Sequence, residues 1–155
     1  MTPAIELLNK QNIPYVVHEY DHDASSQSYG MEAAQKLGLD AAQVFKTLVV
    51  IDDKGKLFVG MVSVAKQLNL KMLAASLKVK KLTMADKKLV ERTSGYVVGG
   101  VSPLGQKKHL PTVIDEEALL HERIYISGGK RGLDLEVAPQ DLVRLLGAVC
   151  AKITA

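Results

Sequence analysis

Seven residues in the second half of the chain, Gly99-Gly100-Val101-Ser102-Pro103-Leu104-Gly105, constrain it most. Three glycines and a proline in so short a run exclude a helix or strand interior. The apolar Tyr96-Val97-Val98 ahead of them reads as the end of a strand. A strand running into a tight glycine loop can bring bare backbone N–H groups against a ligand. Such donors suit a phosphate, a carboxylate or a developing oxyanion.

The 155 residues are expected to form one domain, 1–155, large enough for a proper core. Net charge is only +3, but the lysines cluster. Lys78, Lys80, Lys81, Lys87 and Lys88 form one group, Lys107 and Lys108 a second, Lys130 and Arg131 a third. Each alone reads as a solvated face; together they leave room for a polyanion such as RNA. Met1-Thr2-Pro3-Ala4-Ile5-Glu6 lacks the basic start and apolar run of a signal peptide. No stretch approaches the roughly 18 apolar residues of a membrane span. A single cysteine, Cys150, excludes an intrachain disulfide framework and fits a reducing cytoplasm. Its apolar neighbours lead one to expect a buried structural thiol rather than a reactive one.

Along the chain, Thr2-Pro3 starts a helix reaching about Asn9, and 14–20 reads as a strand. A polar loop over 21–28 leads to a short helix, 32–37, stopped by Gly38. Residues 45–51 make the clearest strand, turned by Asp52-Asp53-Lys54-Gly55 into a partner over 57–63. Helices follow at 69–77, capped by Asn69, and at 85–94, closed by Gly95. Strands are expected at 112–114, 124–127, 133–137 and 148–153, with a helix from Pro139 to Leu146. Helices interrupt the strands without a regular βαβ repeat, which favours an α+β fold with a mixed, strongly curved sheet.

His18-Glu19-Tyr20-Asp21-His22 matches the H-E-x-x-H zinc pattern, but that chemistry needs a helix. Val16-Val17 predict a strand, and extended residues four apart lie roughly 13 Å apart, too far for one ion. No metal site and no cofactor are expected. Gly100 to Lys107 nearly matches a P-loop, yet Gln106 occupies the lysine position and Pro103 removes a cradle donor, which argues against a nucleotide triphosphatase.

Ser127-Gly128-Gly129-Lys130-Arg131-Gly132-Leu133-Asp134 is a second glycine-rich turn after a strand, able to floor a polar pocket or to serve as a plain hairpin. Lys46 shares a strand face with Leu48 and Val50, so its ammonium must reach water or an anion. It either snorkels at the strand's start or stands at the mouth of a pocket. No Ser-His-Asp set or carboxylate pair stands out, so an enzyme built on this chain lacks a strong nucleophile of its own.

Taken in order, Met1-Thr2-Pro3-Ala4, His18 to Asp23, Phe45-Lys46-Thr47-Leu48, Gly95 to Lys108 and Ser127 to Leu133 resemble the YbaK family of aminoacyl-tRNA deacylases. These are relatives of the editing domain of bacterial prolyl-tRNA synthetase, and the matching segments span nearly the whole chain. Met31 departs from the pattern, standing where relatives often carry an acidic residue. The resemblance implies a barrel-like mixed sheet with surrounding helices. It also implies hydrolysis of Cys-tRNA(Pro) in the cytoplasm, with prolyl-tRNA synthetase as a candidate partner and no metal. Cysteine is close to proline in size, so the synthetase needs a second sieve.

The family's site residues carry over to Tyr20, Lys46, Gly99, Ser127 and Asp134. Lys46 resembles the lysine that helps hold the aminoacyl-adenosine end. Gly99 with Pro103 resembles a G-x-x-x-P loop lying against the aminoacyl carbonyl, which adds Gly100, Val101 and Ser102 as substrate contacts. The mechanism implied is substrate-assisted: the cysteine's own thiol attacks its ester carbonyl. From the glycine loop itself, N–H groups of Gly99 to Val101 are expected to bind the oxyanion. The competing reading is a module that captures tRNA ends or a synthetase without turnover.

Overall fold

The computed structural model describes residues 1–26 and 28–155; Gln27, in the polar stretch expected over 21–28, lies outside the described residues. The helices begin and end where local chemistry dictates. Thr2 accepts the Ile5 N–H on its hydroxyl at the head of α1 (Pro3–Lys10), and Asn69 accepts the Met72 N–H ahead of α3 (Leu70–Leu77). Between them, α2 (Tyr29–Leu37) stops at Gly38, with φ +67°. The fourth helix, α4 (Lys87–Ser94), starts two residues later than expected because Asp86 accepts the Leu89 N–H at 2.8 Å. Pro139 opens α5 (Pro139–Leu146).

Among the described residues, eight strands form two sheets. β1 (Val16–Glu19), β6 (Ile124–Lys130) and β7 (Leu133–Val137) form an antiparallel sheet in the order β1-β7-β6. β2 (Phe45–Asp52), β3 (Leu57–Ser63), β4 (Leu82–Met84), β5 (Thr112–Asp115) and β8 (Val149–Ala151) make a mixed sheet in the order β4-β2-β3-β5-β8. A lone parallel bridge between Val44 and Tyr125 joins the two. The fold is α+β as expected, but the described strands form no closed barrel.

β2 feeds two cores by alternation. Phe45 and Val49 pack with Ile126 and Leu135 on one side, while Val50 packs with Phe58, Val62 and Leu73 on the other. Leu48 joins the second side, as its parity with Val50 requires.

Three expectations need correcting. Tyr96-Val97-Val98 is not a strand. Gly95 (φ +85°) turns the chain, Glu91 accepts the Val98 N–H at 2.8 Å, and the Val97 carbonyl accepts the Gly100 N–H at 2.9 Å. Those bonds use backbone groups that a sheet ladder would need. Gly128 and Gly129 belong to β6 itself, within a register shift between Ser127 and Lys130, so the β6–β7 turn is only Arg131-Gly132. The final strand stops at Ala151, and the Ile153 N–H goes to the buried Asp115 carboxylate instead.

Candidate functional site

The glycine-rich segment is threaded between other elements, and contact explains most of its composition. A Cβ on Gly100 would lie 2.7 Å from Cα of Lys130, and one on Gly105 would lie 2.7 Å from the Pro3 backbone. Pro103 and Ser102 are buried, and the Ser102 hydroxyl accepts the Leu104 N–H. The Tyr96 phenol donates to the Leu104 carbonyl at 2.6 Å. No helix follows the segment, so the P-loop resemblance has no structural counterpart.

Only Gly99 and Val101 of this segment line the main cavity, of about 710 Å³, which lies in the ordinary range for ligand sites. The cavity also collects Tyr20, Lys46, Ser127 and Asp134. Gly100, Ser102 and Pro103, expected as substrate contacts, lie outside its lining, and the Gly100 N–H is already spent on Val97.

Sheet register explains how residues so distant in sequence meet. The Val44–Tyr125 bridge sets β2 beside β6 in parallel; two residues further along each strand come Lys46 and Ser127. Ser127 is the cross-strand partner of Asp134, and Asp134 is that of His18. Cross-strand partners share a face. One row of polar side chains, Lys46, Ser127, Asp134 and His18, therefore crosses four strands.

Asp134 is 6% exposed and accepts no hydrogen bond among the described residues. Burial pushes its pKa up to about 7, against a small downward pull from His18. Tyr20, fixed through its N–H to the Gly132 carbonyl, has its phenol pushed up to about 12 by burial and then by the Asp134 charge. Lys46 is half-buried, and burial lowers its pKa; no described carboxylate lies within ion-pairing distance of it. The Ser127 hydroxyl accepts the Gly129 N–H at 3.1 Å.

The two histidines of the H-E-x-x-H match are engaged by different carboxylates. His18 pairs with Glu136 at 2.8 Å, and His22 with Glu32 at 2.6 Å. Glu32 is buried and also accepts the Asp23 N–H, so the loop after β1 is tied to α2.

Sequence reading missed the residue that ties the site together. Arg131 donates from Nε to the Val98 carbonyl at 2.9 Å, and its guanidinium lies 4.8 Å from the Tyr29 ring centre. Both groups press on Gly99, where φ is +91° and a Cβ would come within 2.8 Å of each. In sequence Arg131 is half of a basic pair, indistinguishable from a solvated one.

A cavity lined by an unpaired lysine, a protonatable buried acid and a backbone loop defines a small-molecule site rather than a broad nucleic-acid face. Residues 26–145 match the family described as the aminoacyl-tRNA editing domain, and the chain belongs to that family. Among its relatives, a protein of Enterococcus faecalis (strain ATCC 700802 / V583) named "Putative Cys-tRNA(Pro)/Cys-tRNA(Cys) deacylase EbsC" is 36% identical over 154 residues, covering 99% of this chain and 93% of its own. A solved structure titled "Crystal structure of a putative trans-editing enzyme for prolyl tRNA synthetase" superposes with a TM-score of 0.82 at 26% identity, over 100% of this chain and 99% of that one. Another, described as a hypothetical protein, gives a TM-score of 0.88 at 26% identity over 99% and 100%.

Proposed function

We propose that the chain, acting as one editing unit in the cytoplasm, removes cysteine from mischarged Cys-tRNA(Pro) and so corrects in trans an error of prolyl-tRNA synthetase. The names of its relatives support this reading. The observation that carries it is a cavity equipped to hold and polarise an ester but not to attack one. Among its described lining residues there is no histidine or cysteine, so the lining hydroxyls of Ser28, Thr47 and Ser127 have no imidazole among them to take their proton.

The nucleophile is then the substrate's own thiol. Its sulfur bonds to the ester carbonyl carbon, the bond to the ribose oxygen breaks, and the thiol proton ends on that oxygen. Water opens the resulting thioester ring. Thiol and carbonyl already belong to one molecule, so the cavity's contribution is to hold the rotors that bring the sulfur over the carbonyl carbon. The N–H groups of Gly99 and Val101 face the oxyanion; Gly100 is excluded from that task by its bond to Val97. Lys46 polarises the ester or holds the terminal nucleotide, and Asp134 with Ser127 orients the α-amino group or the thiol.

Release of free cysteine from Cys-tRNA(Pro) tests the reading. Lys46→Ala is expected to slow release by about 100-fold or more, and Ala-tRNA(Pro), which has no thiol, is expected to turn over far more slowly. Equal turnover of the two charged tRNAs overturns thiol assistance. Binding without release identifies a tRNA-end capture module instead.

A further inference from the structure

The β2 strand has an interrupted edge, and the interruption falls inside the cavity. Three hydrogen bonds fix which way its peptide groups point. The Val44 carbonyl accepts from Val64 and the Asp52 N–H goes to Lys56, so the even-numbered residues bond toward β3. The Val49 carbonyl accepts the Ala85 N–H, so the odd-numbered residues face the opposite edge. That edge is covered at one end by β4, which pairs with Val50, Ile51 and Asp52, and at the other by the single Val44–Tyr125 bridge. Between these points, among the described residues, no strand pairs with Thr47 on this edge; its partner Met61 lies on the β3 side. Its N–H and C=O stand side by side on a stretch of β2 that lines the cavity. The cavity lining also includes the apolar residues Met84, Ala85, Val98 and Val101.

An adjacent donor and acceptor on an extended strand, set in an apolar slot, match the Watson–Crick edge of adenine. N1 of that base accepts and its 6-amino group donates. Proteins read unstacked nucleic-acid ends by this edge, and an unpaired strand edge is a ready template for such bonds. We infer that the Thr47 peptide reads the terminal adenine common to all tRNA 3′ ends, with the base lying in the slot between β2 and the Val98–Val101 backbone. The polar row of Ser127 and Asp134 is left to the aminoacyl group. The inference rests on the proposed function only in taking the ligand to be a tRNA end.

The probe is an uncharged CCA trinucleotide titrated into the full chain, with the Thr47 amide followed by NMR. Three variants differ only in the last base: purine, which lacks the 6-amino group; 1-deazaadenine, which lacks N1; and 7-deazaadenine, altered on the other edge. Purine and 1-deazaadenine are each expected to weaken binding about five-fold, while 7-deazaadenine binds like adenine. The Thr47 amide resonance is expected to shift strongly with adenine and weakly with 1-deazaadenine. Equal affinities across the four probes, an unmoved Thr47 amide, or no binding at millimolar CCA overturns the inference. Because the probes carry no ester, base reading without cysteine release would leave the inference standing and sink the deacylase reading alone.

Discussion

At the scale of single residues, Asp134 carries the clearest pH signature. Its pKa is raised to about 7 in the folded chain from an ordinary value of 3.8. Between those values the folded state holds a proton that the unfolded state has lost, so this group's contribution falls as pH rises from about 4 to about 7 and is flat above. Asp134→Asn removes that dependence. The stability difference between variant and wild type should grow across this window by on the order of 4 kcal/mol, measured by urea unfolding at a series of pH values. A pH-independent difference would show that the carboxyl is not held protonated.

Thr47 makes a second residue-scale prediction. Its hydroxyl is fully enclosed and has no hydrogen-bond partner among the described residues. An unsatisfied buried group costs about 1–3 kcal/mol, so Thr47→Val, which keeps the shape, should raise Tm by a few degrees. The special status of Lys46 was legible from alternation alone. That of Thr47 was not, because a threonine in a strand is unremarkable until its neighbours are known.

At the scale of elements, the glycine segment and the β6–β7 turn form one unit. Gly100→Ala would place a methyl group 2.7 Å from the Lys130 backbone, which cannot swing aside as a side-chain tip would. A loss of about 2 kcal/mol or more is expected, read by thermal unfolding. Arg131→Ala should leave the fold standing but release Val98 and Tyr29 from Gly99, lowering kcat about ten-fold with little change in KM. Arg131→Lys should not restore it, since an ammonium cannot both donate from the Nε position and lie flat on the Tyr29 ring.

Most elements were readable because caps and alternation are local: Asn69, Gly38, Gly95 and the 52–55 turn all act within a few residues. β4 was not, since three residues between lysine-rich flanks carry no period. The strand expected at 96–98 failed because Glu91 and Val97 captured its peptide groups, a competition that hydrophobicity does not record.

At the scale of the whole molecule, the described lining of the cavity presents Lys46, Lys66 and Lys87 as its cations, and Lys66 is paired with Glu117. Lys78, Lys80, Lys81, Lys107 and Lys108 do not line it, and Arg131 meets it only through Gly99 and Tyr29. If the chain grips only the last few nucleotides of its tRNA, log KM should rise with log salt with a slope of about 2, the value for two or three single-strand phosphates. A slope several times steeper would mean that the outlying lysines engage the tRNA body.

By itself the sequence determined the helices, the β2–β3 hairpin, the α+β class and the odd placement of Lys46, because those follow from spacing along a few turns of chain. It also singled out the segment from Gly99 to Gly105, but not its division of labour. Only the tertiary structure decided that Gly100 and Gly105 serve close packing while Gly99 and Val101 face the cavity. The same holds for the row from Lys46 through Ser127 and Asp134 to His18, and for the gap in β2 at Thr47. Each depends on which strands pair and where their pairing stops. That register is set by the burial of two cores at once, a condition that no local stretch of sequence contains.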